Sequence, residues 1–134
     1  LFPFEEEIIR VTVTGRQLKS MIRHIFRPEA LADDHAEYYQ FSRDFRVVVS
    51  LREQRVTELT FAGAPIEDGR LFRVGLQTYH FMNMAELLGI RQEEAAENAP
   101  IRTLATSARD ALDEYLSRTE LVTCPEDRRW ITLE

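Results

Sequence analysis

The sequence predicts an α+β domain, a mixed β-sheet of about five strands flanked by amphipathic helices. Three observations carry this expectation. Between Glu7 and Pro28 a period-2 pattern passes directly into a helical one. Between Phe45 and Thr78, alternating runs are separated by turn-forming clusters. Near the end, Ala108, Ala111, Leu112, Tyr115 and Leu116 recur at helical spacing.

Taken in order, Ile9, Val11 and Val13 alternate with Ile8, Arg10 and Thr12, which describes a strand with one face more apolar than the other. Thr14 can cap the following helix through its hydroxyl, and Gly15 relaxes the steric limits at the change of direction. Leu18, Met21, Ile22, Ile25 and Phe26 form an apolar helical stripe, and Pro28 stops it. A polar, acidic loop from Glu29 to Glu37 follows, then the aromatic segment Tyr38-Tyr39-Gln40-Phe41. The next strand places Phe45, Val47, Val49 and Leu51 on one face. Arg52-Glu53-Gln54 turns it into a second strand, Arg55 to Phe61, giving a hairpin.

Ala62-Gly63-Ala64-Pro65 and Glu67-Asp68-Gly69 are further turns, and Leu71 to Thr78 is a strand with Phe72, Val74 and Leu76 on one side. Tyr79 to Leu88 reads as one helix closed by Gly89. Arg91 to Asn98 suits a short surface helix and Pro100 to Ala105 a short strand. Ser107-Ala108-Arg109-Asp110 is a capping box with Asp in place of Glu or Gln. Arg129 to Leu133 forms a closing strand.

The 134 residues suffice for one domain, residues 1–134, with its own core. A net charge of −6, led by Glu5-Glu6-Glu7, disfavours non-specific attraction to nucleic acid or an anionic membrane. No apolar run approaches the ~20 residues of a bilayer span. The lone Cys124 can form no internal disulfide. Leu1-Phe2-Pro3-Phe4 carries neither an initiator methionine nor signal-peptide features. The expectation is a fragment of a longer protein.

Several chemical constellations are weak. Asp33-Asp34-His35 has ligand-type side chains, but consecutive residues rarely converge on one ion and no partner Cys or His stands at a ligand spacing. His24 lies on the polar side of the first helix, His80 near the ligand face described below, and Cys124 beside Pro125 lacks an activating base. Trp130 reads as a packing anchor. No nucleophile elbow, P-loop or dinucleotide fingerprint is present.

The ordered series "VTVTGRQLK", "EYYQFS", "VTELTFAGAPIEDGRLFRVGL" and "ARDALDEYL" resembles the C-terminal domain of the 5′-nucleotidase and UDP-sugar hydrolase family over nearly the whole chain. The resemblance implies a substrate-binding domain without catalysis of its own. Its partner in cis is an N-terminal metallophosphoesterase domain holding a divalent metal pair, and this fragment itself holds no cofactor. Family members place an aromatic residue two positions before an Asn or Gln that addresses the nucleobase; Tyr38 and Gln40 have that spacing. Residues two apart in an extended segment point to one side, and a base stacked on a ring gains ~1–3 kcal/mol. Tyr38 as a packed aromatic with Gln40 a solvated neighbour is the plain alternative.

The chain departs from the family at "QTYHFMNMAELLGI", where a Gly-Gly-Asp-Gly loop normally brings the second ring of a base sandwich. Tyr79, Phe81 or Asn83 stand in its place, and the two aromatics also suit core packing. Arg43 either contacts a phosphate or sits in solvent. The expected site is therefore Tyr38, Gln40, Arg43 and Asn83, with a small-molecule nucleotide as ligand. A rival expectation is a structural or partner-contact domain that has lost ligand binding. Many family members are secreted, periplasmic or wall-attached, and the compartment of this chain stays open.

Overall fold

The computed structural model describes residues 6–32 and 39–123, together with the backbone of 130–133. β1 (Ile8–Thr14) runs straight into α1 (Gly15–Ile25), and α2 (Pro28–Ala32) follows. Next come β2 (Phe45–Ser50), β3 (Arg55–Phe61), the two-residue β4 (Ala64–Pro65) and β5 (Leu71–Gln77). Three short helices, α3 (Thr78–Met82), α4 (Met84–Leu87) and α5 (Gln92–Ala96), lead to β6 (Arg102–Ala105), α6 (Ala108–Ser117) and β7 (Trp130–Leu133).

The α+β class holds, but the strands form two sheets instead of one. The first is antiparallel in the order β5-β1-β6, and the second runs β4-β3-β2-β7. The second is mixed, because β7 lies parallel to β2 while β2–β3 and β3–β4 are antiparallel. β1 pairs along both edges, with β5 and with β6, so it leaves no edge for the β2–β3 hairpin. Period-2 alternation specifies faces, not partners, which is why a single sheet was expected.

α1 joins the two sheets. Its buried Leu18, Met21, Ile22 and Ile25 pack in one cluster with Val11, Val13 and Phe72 of the first sheet and Phe45, Val47 and Val49 of the second. Register keeps the apolar partners on one face: Ile9 opposes Leu76, Val11 opposes Val74 and Val13 opposes Phe72. Removing each such side chain from water contributes about 1.5–3 kcal/mol.

The β1–α1 junction is closed by hydrogen bonds to most of its exposed donors. Thr14 Oγ1 accepts from the Gln17 N–H (3.2 Å), and Gln17 Oε1 accepts from the Thr14 N–H (2.8 Å), a reciprocal capping box. The Gly15 N–H donates to the Arg70 carbonyl (2.7 Å) and the Arg16 N–H to the Asp68 carbonyl (3.1 Å). A Cβ on Gly15 would lie 2.0 Å from the Glu67 carbonyl oxygen. Glycine is needed here for close approach of the 67–70 turn, not for an unusual φ. Lys19 bridges the same turn, donating to the Ile66 carbonyl (3.1 Å) and pairing with the Asp68 carboxylate. The Lys19 ammonium, aided by Arg16, holds the Asp68 carboxyl below its ordinary range.

Other expectations are corrected. Leu51 lies beyond the end of β2 and is exposed. The loop after Pro28 begins as a helix, with Pro28 at its first position, where a missing N–H costs nothing. The helix expected over Tyr79–Leu88 is two helices, broken at Asn83 (φ −108°, ψ 25°). Gly89 does end the second one, at φ +66°. His24 is no idle surface residue: its Nε2–H donates to the Glu86 carbonyl (2.8 Å) and its ring packs on Gly89. The stripe on α6 forms a helix capped by Ser107, which accepts from the Asp110 N–H, yet no residue of it is buried among the described residues. Asp33-Asp34-His35 and Cys124 lie outside the described residues, as does the Trp130 side chain.

Candidate functional site

β5 is the edge of its sheet, and that edge borders a cavity. The Glu7 carbonyl accepts from the Thr78 N–H on the β5 side, whereas the Glu6 and Thr12 carbonyls accept from Ala108 and Asn98 on the other. Hydrogen-bonded pairs alternate along an antiparallel ladder, so Phe72, Val74 and Leu76 turn their backbone groups toward β1. Leu71, Arg73, Gly75 and Gln77 therefore turn theirs outward.

The cavity, of about 490 Å³, lies between this edge, α1 and residues 39–42. Leu18, Met21, Ile22 and Ile25 of α1 line it, with Phe45, Phe61, Phe72, Val74 and Leu76. Tyr39, Gln40, Ser42, Arg73, Gln77 and His80 supply its polar groups, and no Asp or Glu lines it among the described residues. An apolar pocket with a few convergent polar groups is the usual form of a small-molecule site.

Aromatic contacts set the walls. The His80 ring stands edge-on between Tyr39 (centroids 5.0 Å, 84°) and Tyr79 (5.5 Å, 84°). Phe61 and Phe72 meet at 5.4 Å, with the Arg70 guanidinium 5.2 and 5.0 Å from their centroids. Cation–π contact of this kind holds Arg70 against the two rings.

Of the four residues expected to bind ligand, the structure brings Gln40 to the cavity. Tyr38 lies outside the described residues. Arg43 is exposed and follows Ser42, a lining residue, without lining the cavity itself. Asn83 is also off the lining; its side-chain amide donates to the Tyr79 carbonyl (2.8 Å) and so braces the helix that carries His80. Sequence reasoning passed over Tyr39, Arg73 and Gln77. The Tyr38/Gln40 pairing takes this segment as extended, which turns Tyr39 away from Gln40. Residues 39–42 are irregular, and all four reach the cavity. Among the described residues, no three His, Cys, Asp or Glu side chains gather as a metal site requires, and no helix is long and apolar enough to cross a membrane.

Comparison with known proteins places this architecture. A 5′-nucleotidase precursor from Thermus thermophilus superposes with a TM-score of 0.70 at 15% identity, over 98% of this chain and 26% of its own. A Staphylococcus aureus protein described as a 5′-nucleotidase, in complex with α-ketoglutarate, gives 0.69 at 16% identity, over 99% and 28%. The chain thus spans about a quarter of the length of either protein. By sequence, no curated protein matches it. The family model for the 5′-nucleotidase C-terminal domain does match, over residues 1–87. The chain belongs to the 5′-nucleotidase C-terminal domain family.

Proposed function

We propose that this domain holds the organic part of a phosphoester substrate, a nucleotide in the first instance, for hydrolysis by a metallophosphoesterase domain in the same protein. The observation that carries the reading is the cavity beside residues 39–42, inside the stretch matched by the family. Its apolar walls suit a planar heterocycle, and Gln40, Gln77 and His80 suit its polar edge. Tyr38 would stack on the base, Gln40 would orient it and Arg43 would face the phosphate. Asn83 acts at one remove, through the helix bearing Tyr79 and His80. The divalent metal pair would belong to the other domain, where it would activate water for attack on phosphorus. This domain contributes grip and placement, which enter the rate through orientation.

Replacing Tyr38 or Gln40 with Ala in the intact parent protein tests the reading. Substrate binding should weaken while the chemical step is preserved, so KM rises more than kcat falls where binding is a fast pre-equilibrium. Unchanged kinetics in both variants would overturn the assignment. A second reading, a partner-contact domain, is favoured by α6, which leaves Leu112, Tyr115 and Leu116 37%, 62% and 40% exposed.

A further inference from the structure

The three strands of the first sheet carry three arginines and no acidic residue, in a chain of net charge −6. All three arginines share the outer face, away from α1. Arg10 stands directly opposite Gly75 on one side and Arg102 on the other, and Arg73 opposes Thr12. Cross-strand partners share a face and residues two apart along a strand share a face, so Arg73 joins Arg10 and Arg102. Among the described residues none of the three forms an ion pair, and Arg10 Nε is buried with no hydrogen-bond partner.

Like charges directly opposite each other on a sheet destabilise it, and a buried donor without an acceptor costs more. An anion on this face offsets the like-charge repulsion, and one that reaches Arg10 Nε supplies the missing acceptor. Gly75 completes the geometry. A Cβ there would meet only Ile8 Cγ2, at 3.7 Å, and no positive φ demands glycine. The fold tolerates a side chain at Gly75, and its lack leaves a gap in the row Arg102–Arg10–Gly75 above Arg10.

We propose that this outer face is a binding site for a phosphate-type oxyanion, with Arg73 and Arg102 as walls and Arg10 beneath the gap at Gly75. Guanidinium groups match such oxygens with paired, charge-assisted hydrogen bonds, and three cations suit a dianion. The site meets the apolar cavity at the β5 edge, where Arg73 and Gly75 line both, but Arg10 and Arg102 do not line the cavity, and the anion site stands whether or not a nucleotide occupies it.

The test is titration of the chain with inorganic phosphate, and in parallel with uridine 5′-monophosphate, at fixed ionic strength. Arginine Nε–H NMR signals and the thermal midpoint are followed. The account predicts that Arg10, Arg73 and Arg102 shift, Arg52 does not, and the midpoint rises with ligand. The R73Q and R102Q variants should each bind about tenfold more weakly or worse. Without ligand, R102Q should be at least as stable as the wild type. G75V keeps all three cations but fills the gap, and should lose binding while remaining folded. A stronger response to phosphate marks a free-anion site, and a stronger response to the nucleotide marks an ester-borne group. The proposal is overturned if the arginine signals stay still at about 20 mM of both probes, if Arg52 shifts equally, or if G75V binds like the wild type.

Discussion

Replacing Gly15 with alanine puts the β1–α1 junction to a quantitative test. The added methyl carbon would stand 2.0 Å from the Glu67 carbonyl oxygen and 2.9 Å from Ile66 Cγ2. Real contacts do not go below about 3 Å, so the 66–70 turn must retreat by roughly 1 Å. That movement strains the two bonds from the Gly15 and Arg16 N–H groups to the Arg70 and Asp68 carbonyls, each worth about 0.5–1.5 kcal/mol. Overpacking against Ile66 adds about 1–3 kcal/mol, and alanine returns about 0.4–1 kcal/mol by restricting the unfolded chain. The net expectation is a loss of about 2–4 kcal/mol, a fall in melting temperature on the order of 10 °C for a domain of this size. Urea denaturation of wild type and variant, compared at equal m, measures it. A loss below about 0.5 kcal/mol, the range of a neutral surface change, would show that the turn does not press on the helix start.

Three further predictions concern single positions. Gly89 sits at φ +66°, and a Cβ there would lie 2.6 Å from His24 Cγ, so Gly89→Ala should cost more than 1 kcal/mol. Adding His24→Ala should recover part of the loss in a double-mutant cycle, and strict additivity would refute the contact. Ala62 and Gly63 form the two-residue β3–β4 turn with φ of 52° and 74°; Ala62→Asn should raise stability by about 0.5–1 kcal/mol in thermal melts. Asp68 has a carboxyl whose folded pKa lies below its unfolded value, so its contribution is full above the unfolded value and fades as pH falls through the lowered one. Acid titration of wild type and Asp68→Asn should show their stabilities converging on acidification, and a gap that stays constant would count against the Lys19–Asp68 pair.

Much of the local structure was legible in the sequence. Thr14 does cap α1, every apolar residue named for its buried face is buried, and Arg55–Phe61 pairs with β2 as a hairpin. These features rest on spacing and short-range hydrogen bonds. What was illegible depended on contacts far apart in sequence. The division into two sheets follows from β1 using both its edges, which alternation along β1 cannot reveal. From sequence Gly15 only eases the change of chain direction, because the Glu67 carbonyl pressing on it comes from a turn remote in sequence. Tyr39 and Arg73 reach the cavity through an irregular segment and the outer strand of a sheet, and neither has a periodic signature.

The central claim is that the cavity beside the β5 edge receives the organic part of a phosphoester. NMR titration of the chain with AMP, UMP, UDP-glucose and the free nucleosides tests it most directly. The signals of Gln40, Ser42 and His80 should move, with the nucleosides acting at the same residues as the nucleotides. If all ligands leave these residues unmoved at about 5 mM, or if only phosphate-bearing ligands act and only on the outer arginines, the cavity is not the substrate site.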